Sequence, residues 1–315
     1  MARCYGLVGA GENGREFEWR GETLAILTEG ERRFVNVDLQ SSAGIDRASS
    51  LNLASSGLAD YVSSSSLFHS TVSSVFSSDP PPPAATRRRG RMAAVLRHPV
   101  DRALEHYREV RSQVPSLRSM TAEEYADGDL VEENLVTRLL SRHLVSEGGD
   151  EEDMGPLDQS HLDLAKEVLR RKALILLHGD RDVTADSLRR IERYFGWTGG
   201  QGLTEDSRCR ETVLESHISV EAGREVEFGA PPQEGDPTYI KLLERNRLDV
   251  ELYEYAQILF SAQSDLPARV ARKSENEGKT WWPTRNCVMN GKFNADPPDM
   301  DWYSVQSELR VVEGK

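Results

Sequence analysis

Two short, entirely apolar runs, each followed by an amphipathic helical pattern, constrain the fold of this chain more than any other feature. Residues 92–96 (Met-Ala-Ala-Val-Leu) precede a helix predicted to start at Pro99, and residues 173–177 precede a helix marked by residues 188–195. An apolar run of this length predicts a strand that is covered on both faces. Because strands and helices alternate, we predict an α/β domain with a mainly parallel sheet.

Weaker patterns extend this alternation along the chain. Residues 33–37 predict a further strand, and a helix over residues 43–54 is predicted to end before Gly57. Further helices are predicted at residues 131–145, at residues 160–171, and from Asp236-Pro237 to about Gln263. Ser160 and Asp163 have capping-box spacing, and Asp236 is a good helix cap before a proline.

Two segments are predicted to lie outside the core. Residues 63–85 hold runs of serine and Pro80–Pro83, a composition typical of loop or polyproline structure, and they predict a surface insertion. Residues 264–315 are polar and predict a peripheral tail. We therefore expect one α/β domain over residues 1–263, interrupted by the insertion and followed by the tail.

The composition excludes several classes of protein. With 315 residues, 38% of them hydrophobic, the chain can bury a sizeable core. Its three cysteines are too few for a disulfide scaffold, and no run approaches the about 18 apolar residues that cross a bilayer. The net charge of −13 disfavours general nucleic-acid binding. Only seven of the 39 basic residues are lysine, and arginine is better suited to forked recognition of phosphate and sulfate.

Two glycine patterns resemble phosphate-binding loops. Residues 9–14 (Gly-Ala-Gly-Glu-Asn-Gly) have the spacing of a dinucleotide-binding turn, but the strand predicted before them is only Gly6-Leu7-Val8, and no good helical pattern follows. Gly278-Lys279-Thr280 resembles the end of a nucleotide phosphate loop, but Lys273 stands where that loop needs its first glycine. We favour a non-functional interpretation of both patterns.

The strongest functional signal lies at residues 95–107, where Arg97 follows a predicted strand and Pro99 starts a predicted helix. Ligands of open α/β sheets gather at the carboxyl ends of the strands. At such an edge Arg97 can bind a phosphate through two charge-assisted hydrogen bonds, and the unpaired N–H groups of the helix start favour an anion. The alternative is that Arg97 pairs with a carboxylate of a loop.

Residues 97–102 (Arg-His-Pro-Val-Asp-Arg) and Tyr107 resemble the 3′-phosphate-binding motif of sulfotransferases that use 3′-phosphoadenosine 5′-phosphosulfate. Other stretches resemble, in matching order, the membrane-type carbohydrate sulfotransferase-like proteins of algae. They are residues 34–38, 56–60, 89–91, 134–140, 174–197 and 246–256. The resemblance covers roughly residues 33–263.

This resemblance implies a P-loop-type parallel sheet flanked by helices. It implies transfer of a sulfuryl group from the co-substrate 3′-phosphoadenosine 5′-phosphosulfate to a hydroxyl or amine, expected on a carbohydrate, with Arg97 as ligand of the 3′-phosphate. It also implies a Golgi or secretory-pathway membrane location, through an anchor that would precede Met1. No nucleic-acid partner is expected.

Two departures from the family pattern bear on activity. The family's 5′-phosphosulfate loop carries a lysine that neutralises the transferring group, but the first lysine of this chain is Lys166. Residues 1–6 are similar to the end of the helix after that loop, so the resemblance implies a fold that is incomplete at its N-terminus. Glu105 stands where the family has a phosphate-binding serine, and its carboxylate would repel the 3′-phosphate. The alternative function is therefore an inactive remnant that binds a nucleotide, a glycan or another protein.

Four further residues are weaker candidates. Arg91, in the basic run 87–91, is a candidate for attracting an anionic nucleotide or glycan, although such runs are usually solvated loops. His69 lies where some relatives carry a catalytic base. Thr137 and Arg138 are candidates for the nucleotide cleft, with a helix-surface role as the alternative. The spacing of the histidines and cysteines predicts no metal site.

Overall fold

The structure is a computed structural model of the 315-residue chain. It describes residues 5–11, 14, 22–30, 32–64, 92–141, 156–197, 208, 210–216 and 230–266. Most of the predicted insertion and of the predicted tail lie outside the described residues, and so do His69, Arg91 and Gly278-Lys279-Thr280.

The described residues contain strands in two sheets. The strands are β1 (Val8–Ala10), β2 (Ile26–Glu29), β3 (Arg32–Val35), β4 (Tyr61–Val62), β5 (Met92–Arg97) and β6 (Ala173–His178). The first sheet has the order β2-β3-β1-β4, in which β1 is parallel to β3 and β4 while β2 and β3 pair antiparallel. The second sheet is the parallel pair β5–β6, which runs from Met92 opposite Ala173 to Arg97 opposite His178.

Helices flank these strands, so the predicted mixture of helices with parallel strands is confirmed. They are α1 (Ser42–Ser50), α2 (Leu53–Ser56), α3 (Pro99–Gln113), a 3-10 helix (Pro115–Leu117), α4 (Ala122–Asp127), α5 (Leu135–Ser141), α6 (Gln159–Lys172), α7 (Arg181–Phe195), α8 (Pro237–Arg245) and α9 (Arg247–Ala262). Residues 210–216 are also helical. In place of the single helix predicted at residues 43–54, α1 and α2 are separated at Asn52, whose φ of 57° is left-handed.

The carboxyl-terminal end of α7 connects the two sheets. Tyr5, three residues before β1, donates its hydroxyl to Oε1 of Glu192 at 2.7 Å, and Tyr61 in β4 contacts Trp197 edge to face with ring centroids 6.1 Å apart. Helix α7 follows β6 after two residues and packs on it, so α7 runs back towards the amino-terminal end of β6. The starts of β1 and β4 therefore lie near the carboxyl-terminal end of α7.

The largest core cluster lies between β5, β6, α6 and α9. Its buried side chains include Leu96, Leu162, Leu169, Ile175, Leu252 and Leu259. The other face of β6 is covered by α7, since Leu174 and Leu176 pack with Tyr194. The prediction that residues 173–177 form a strand buried on both faces is therefore confirmed.

The same prediction is wrong for β5, although residues 92–97 do form a strand. Ala94 and Leu96 are buried in the large core, but Val95, on the opposite face, is 63% exposed. Among the described residues, α7 packs mainly on β6, and only Ala93 of β5 packs against the same cluster, so this face of β5 is open at Val95. An apolar run alone does not distinguish these two cases.

Three predicted helices have different ends in the structure. Asn246 divides the helix predicted from Asp236 to Gln263 into α8 and α9. Helix α5 starts at Leu135, after Asn134, whose φ of 48° is left-handed, rather than at residue 131. The capping box of α6 joins Asp158 with His161 instead of Ser160 with Asp163. In each case a polar side chain ends or starts the helix at a place that apolar periodicity does not mark.

Candidate anion-binding site at the end of β5

Arg97 is the last residue of β5 and stands beside His178, the last residue of β6. Helix α3 starts at Pro99, and the side chain of His98, which precedes it, makes no capping hydrogen bond. The first N–H groups of a helix lack partners within the helix, and they carry the positive end of its dipole. The carboxyl end of this parallel pair thus combines a guanidinium group with a helix start, which is favourable for an anion.

Glu105 contacts Arg97 from the second turn of α3. Its Oε2 atom lies 3.7 Å from Nη1 of Arg97 and 3.9 Å from Nη1 of Arg108. Both distances exceed the length of a normal charge-assisted hydrogen bond. The side chains of Arg97 and Glu105 are 24% and 25% exposed, but the Oε2 atom of Glu105 is itself buried. The predicted alternative, a carboxylate partner for Arg97, is therefore present, but it belongs to α3 and not to a loop.

An aromatic cluster lies beside Arg97. The ring of His98 stacks near Tyr239 of α8, with centroids 6.3 Å apart, and meets Tyr253 of α9 edge to face at 5.4 Å. Burial, with a smaller contribution from the negative charge of Asp101, raises the pKa of Tyr239 and of Tyr253. Both phenols therefore stay protonated at neutral pH and can donate hydrogen bonds. Sequence reasoning missed this cluster because its members come from three distant segments.

Thr137 lies in a buried polar network and not on an open surface. Its backbone N and its hydroxyl donate to Oδ1 of Asp249, at 2.8 and 2.7 Å. Oδ2 of Asp249 accepts from the backbone N of Val136 at 3.0 Å and from Arg102 at 3.2 Å. Thr137 is 0% exposed, because its polar atoms bond to Asp249 between packed helices. This position does not match the expectation that Thr137 faces a nucleotide cleft. Arg138 follows it on α5 and is half-buried.

The same network caps two helices reciprocally. Asp249 of α9 accepts from the first backbone N–H groups of α5, while Oδ1 of Asn134 accepts from Leu248 and Asp249 at the start of α9, at 2.9 and 3.2 Å. Oδ1 of Asn246 accepts from the backbone N of Asn134 and from Arg102, at 3.1 and 3.0 Å. We name Arg102, Asn134, Thr137, Asn246 and Asp249 the α3–α5–α9 clasp. The clasp joins two of the segments that contribute to the resemblance, residues 134–140 and 246–256.

The glycine pattern at residues 9–14 serves packing in the structure. Strand β1 covers Val8–Ala10, so Gly9 lies inside the strand rather than after it, in contrast to the predicted strand at residues 6–8. A Cβ atom on Gly14 would overlap the carbonyl oxygen of Val37, and one on Gly11 would lie 2.8 Å from the carbonyl oxygen of Ser63. The absence of side chains therefore allows backbone segments to approach closely.

Comparisons with known proteins add no assignment, and the described residues show no metal site or membrane span. No protein-family model, no curated protein and no solved structure matches the chain significantly. In the part of the chain that the structure describes, no group of three histidine, cysteine or acidic side chains is arranged to hold a metal ion. None of the described helices is long and apolar enough to cross a membrane.

Proposed function

We propose that this chain is a sulfotransferase-like domain that binds the 3′-phosphate of 3′-phosphoadenosine 5′-phosphosulfate through Arg97. One observation carries the proposal: Arg97 ends a parallel strand immediately before the uncapped start of α3. The motif resemblance at residues 97–102 supports the same assignment. The P-loop-type arrangement of the sheet that this family would have is part of the proposal.

The local chemistry suits a phosphate dianion. The guanidinium group of Arg97 supplies forked donors, and the first turn of α3 supplies backbone N–H groups and a positive dipole end. Arg108, whose side chain is 9% exposed, adds a second positive charge near Glu105. Because arginine keeps its proton at any physiological pH, this positive charge does not titrate.

In the full reaction, an acceptor oxygen or nitrogen would form a bond to sulfur while the bond between sulfur and the bridging 5′-phosphate oxygen breaks. The leaving group would be adenosine 3′,5′-bisphosphate, and the acceptor proton would pass to a base. The carbohydrate acceptor and the Golgi location come from the resemblance alone. His69, the candidate base, lies outside the described residues, and the chain has no lysine before Lys166. We therefore propose nucleotide binding first, and sulfuryl transfer as a further activity that also requires a base and a positive charge at the transferring group.

The second candidate function is an inactive remnant, and the contact between Glu105 and Arg97 favours it. At 3.7 Å, the carboxylate is close enough to compete with a phosphate for the guanidinium group. A nucleotide must displace Glu105, so its affinity falls by the free energy of that displacement. This second candidate function still predicts an anion site at Arg97, but one that the carboxylate of Glu105 occupies.

Calorimetric titration with adenosine 3′,5′-bisphosphate tests the proposal. We expect the wild-type chain to bind, and Arg97→Gln to weaken binding by at least about tenfold, since it removes a charge-assisted contact. Arg189→Gln is the matched control, because Arg189 is exposed and pairs with Asp186 in the middle of α7. Equal binding by wild type and Arg97→Gln would refute the role of Arg97, whereas no binding by wild type would favour the remnant.

A further inference from the structure

The aromatic cluster at the start of α3 is accessible to solvent. His98, Tyr239 and Tyr253 are each half-buried, and they come from the residue before α3, from α8 and from α9. The ring of Tyr239 lies within 13° of parallel to that of His98, whereas the ring of Tyr253 is nearly perpendicular to it, at 85°. The faces of aromatic rings carry partial negative charge, so a group of rings in different orientations favours a cation.

The charged groups around the two phenols are acidic. After burial, the contributions that raise the pKa of Tyr239 come from the carboxylates of Glu234 and Asp101. Asp101 also contributes to the raised pKa of Tyr253, where burial is again the largest cause. Among the described residues, no lysine or arginine contributes to either shift. Acidic groups therefore add to the negative charge of the ring faces.

The carboxylate of Asp101 has no cationic partner in the described part of the chain. Asp101 is exposed and lies in the first turn of α3, three residues after His98. It makes no salt bridge with any described residue, whereas Arg97, which precedes His98, contacts Glu105 at 3.7 Å. The start of α3 thus presents an open carboxylate beside aromatic rings, and a single cation can interact with both.

We propose that Asp101 and the aromatic cluster bind an organic ammonium ion, with its charge beside the carboxylate of Asp101 and its alkyl groups against the rings of Tyr239 and Tyr253. Aromatic rings recognise substituted ammonium ions well, because the positive charge is spread over alkyl groups that lose water readily. Since water reaches both the carboxylate and the rings, we expect affinity in the millimolar range. Binding at this site needs no nucleotide, so the proposal goes beyond sulfuryl transfer.

Choline is the probe, and its uncharged isostere 3,3-dimethylbutan-1-ol is the matched control ligand. Ligand-detected NMR on the full chain measures both at low salt and about pH 8, because a protonated imidazole at His98 would repel the cation and salt would screen it. We expect choline to bind with a dissociation constant of about 1–20 mM, at least about fivefold more tightly than the isostere. Undetectable binding of choline at about 50 mM would overturn the proposal, and so would equal affinities for the two ligands.

Two sets of variants locate the site. Asp101→Asn should weaken choline binding at least about threefold, whereas Asp163→Asn, on the exposed surface of α6, should leave it unchanged. Tyr239→Phe keeps the ring and should bind choline as wild type does, while Tyr239→Leu should bind at least about threefold more weakly. Unchanged affinity in either Asp101→Asn or Tyr239→Leu would overturn the proposal. Arg97→Gln should bind choline at least as tightly as wild type, so failure of the nucleotide proposal is distinguishable from failure of this one.

Discussion

Helix α3 carries two arginine–carboxylate contacts that are built in different ways. Arg102 donates to Asp249 at 3.2 Å, and Asp249 is 1% exposed and accepts three further hydrogen bonds. The contact between Arg97 and Glu105 is longer, at 3.7 Å, and both side chains are about one-quarter exposed. Arg102 and Glu105, three residues apart on α3, thus take part in a buried hydrogen-bonded network and in a longer, partly exposed contact, respectively.

The difference indicates which of the two contacts can change partners. Removing one member of a buried ion pair leaves an uncompensated charge, so the clasp resists opening. A partly exposed pair beyond hydrogen-bond distance contributes little free energy and can exchange its carboxylate for another anion. We infer that the clasp holds α3, α5 and α9 together, while the proposed anion at the end of β5 would have to displace Glu105 from Arg97.

Asp249→Ala should have the largest effect on stability. It removes the acceptor of four hydrogen bonds and leaves the half-buried Arg102 with the longer 3.6 Å contact to Glu132, so we expect a loss of about 3–5 kcal/mol in the free energy of unfolding. Asp249→Asn, which keeps an acceptor oxygen, should lose less. Denaturant unfolding measures both changes, with Asp163→Ala on the exposed surface of α6 as the control. A loss below about 1 kcal/mol for Asp249→Ala would show that the clasp is not the stronger region.

Asn134→Ala should be the next most destabilising change. The side chain caps the start of α9, and the left-handed φ of 48° disfavours alanine, so we expect a loss of about 2 kcal/mol. Asn134→Gly loses the cap but adopts the left-handed conformation readily, so it should be less destabilising than alanine. If the two variants unfold at the same denaturant concentration, the backbone conformation contributes nothing to the clasp.

Part of this comparison could be predicted from the sequence, and part could not. Strands β5 and β6 are evident because their runs are apolar throughout, and α3 is evident because Pro99 and one apolar stripe mark it. Strands β1 and β4 have only three and two residues, too few to show a period. Their partners also lie far away in the chain.

The two arginine–carboxylate contacts of α3 also differ in how far they could be predicted from the sequence. Arg97 could be found because it directly follows an apolar run, and its proximity to Glu105 is what the resemblance implies, since the family has a phosphate-binding serine at that position. The break at Asn246 could not be found, because it depends on Asn134 and Arg102, which are 112 and 144 residues away. The buried position of Thr137 could not be found for the same reason, because its partner Asp249 is 112 residues away.

The strand that carries Arg97 should tolerate change better than its neighbour. Ile175→Val, in the fully buried strand β6, should lose about 1 kcal/mol, whereas Val95→Ala should lose less than about 0.5 kcal/mol although it removes more atoms. Thermal or denaturant unfolding of the two variants measures the difference. A larger loss for Val95→Ala would mean that the open face of β5 is covered in solution.

Glu105→Gln should have the smallest effect on stability. The contact with Arg97 is long and partly exposed, so we expect a change within about 0.5 kcal/mol of wild type. Glu109→Gln is the matched control, because Glu109 is exposed on the next turn of the same helix. A loss comparable to that of Asp249→Ala would show that the two contacts are equally structural, and the comparison would fail.

The most direct test of the account is calorimetric titration of Glu105→Gln with adenosine 3′,5′-bisphosphate, beside wild type and Glu109→Gln. If Glu105 occupies the place of a phosphate at Arg97, removing its charge should raise affinity by about tenfold or more, and Glu109→Gln should match wild type. Arg97→Gln added to Glu105→Gln should abolish the gain. Unchanged or weaker binding by Glu105→Gln would contradict the assignment of an anion site at the end of β5.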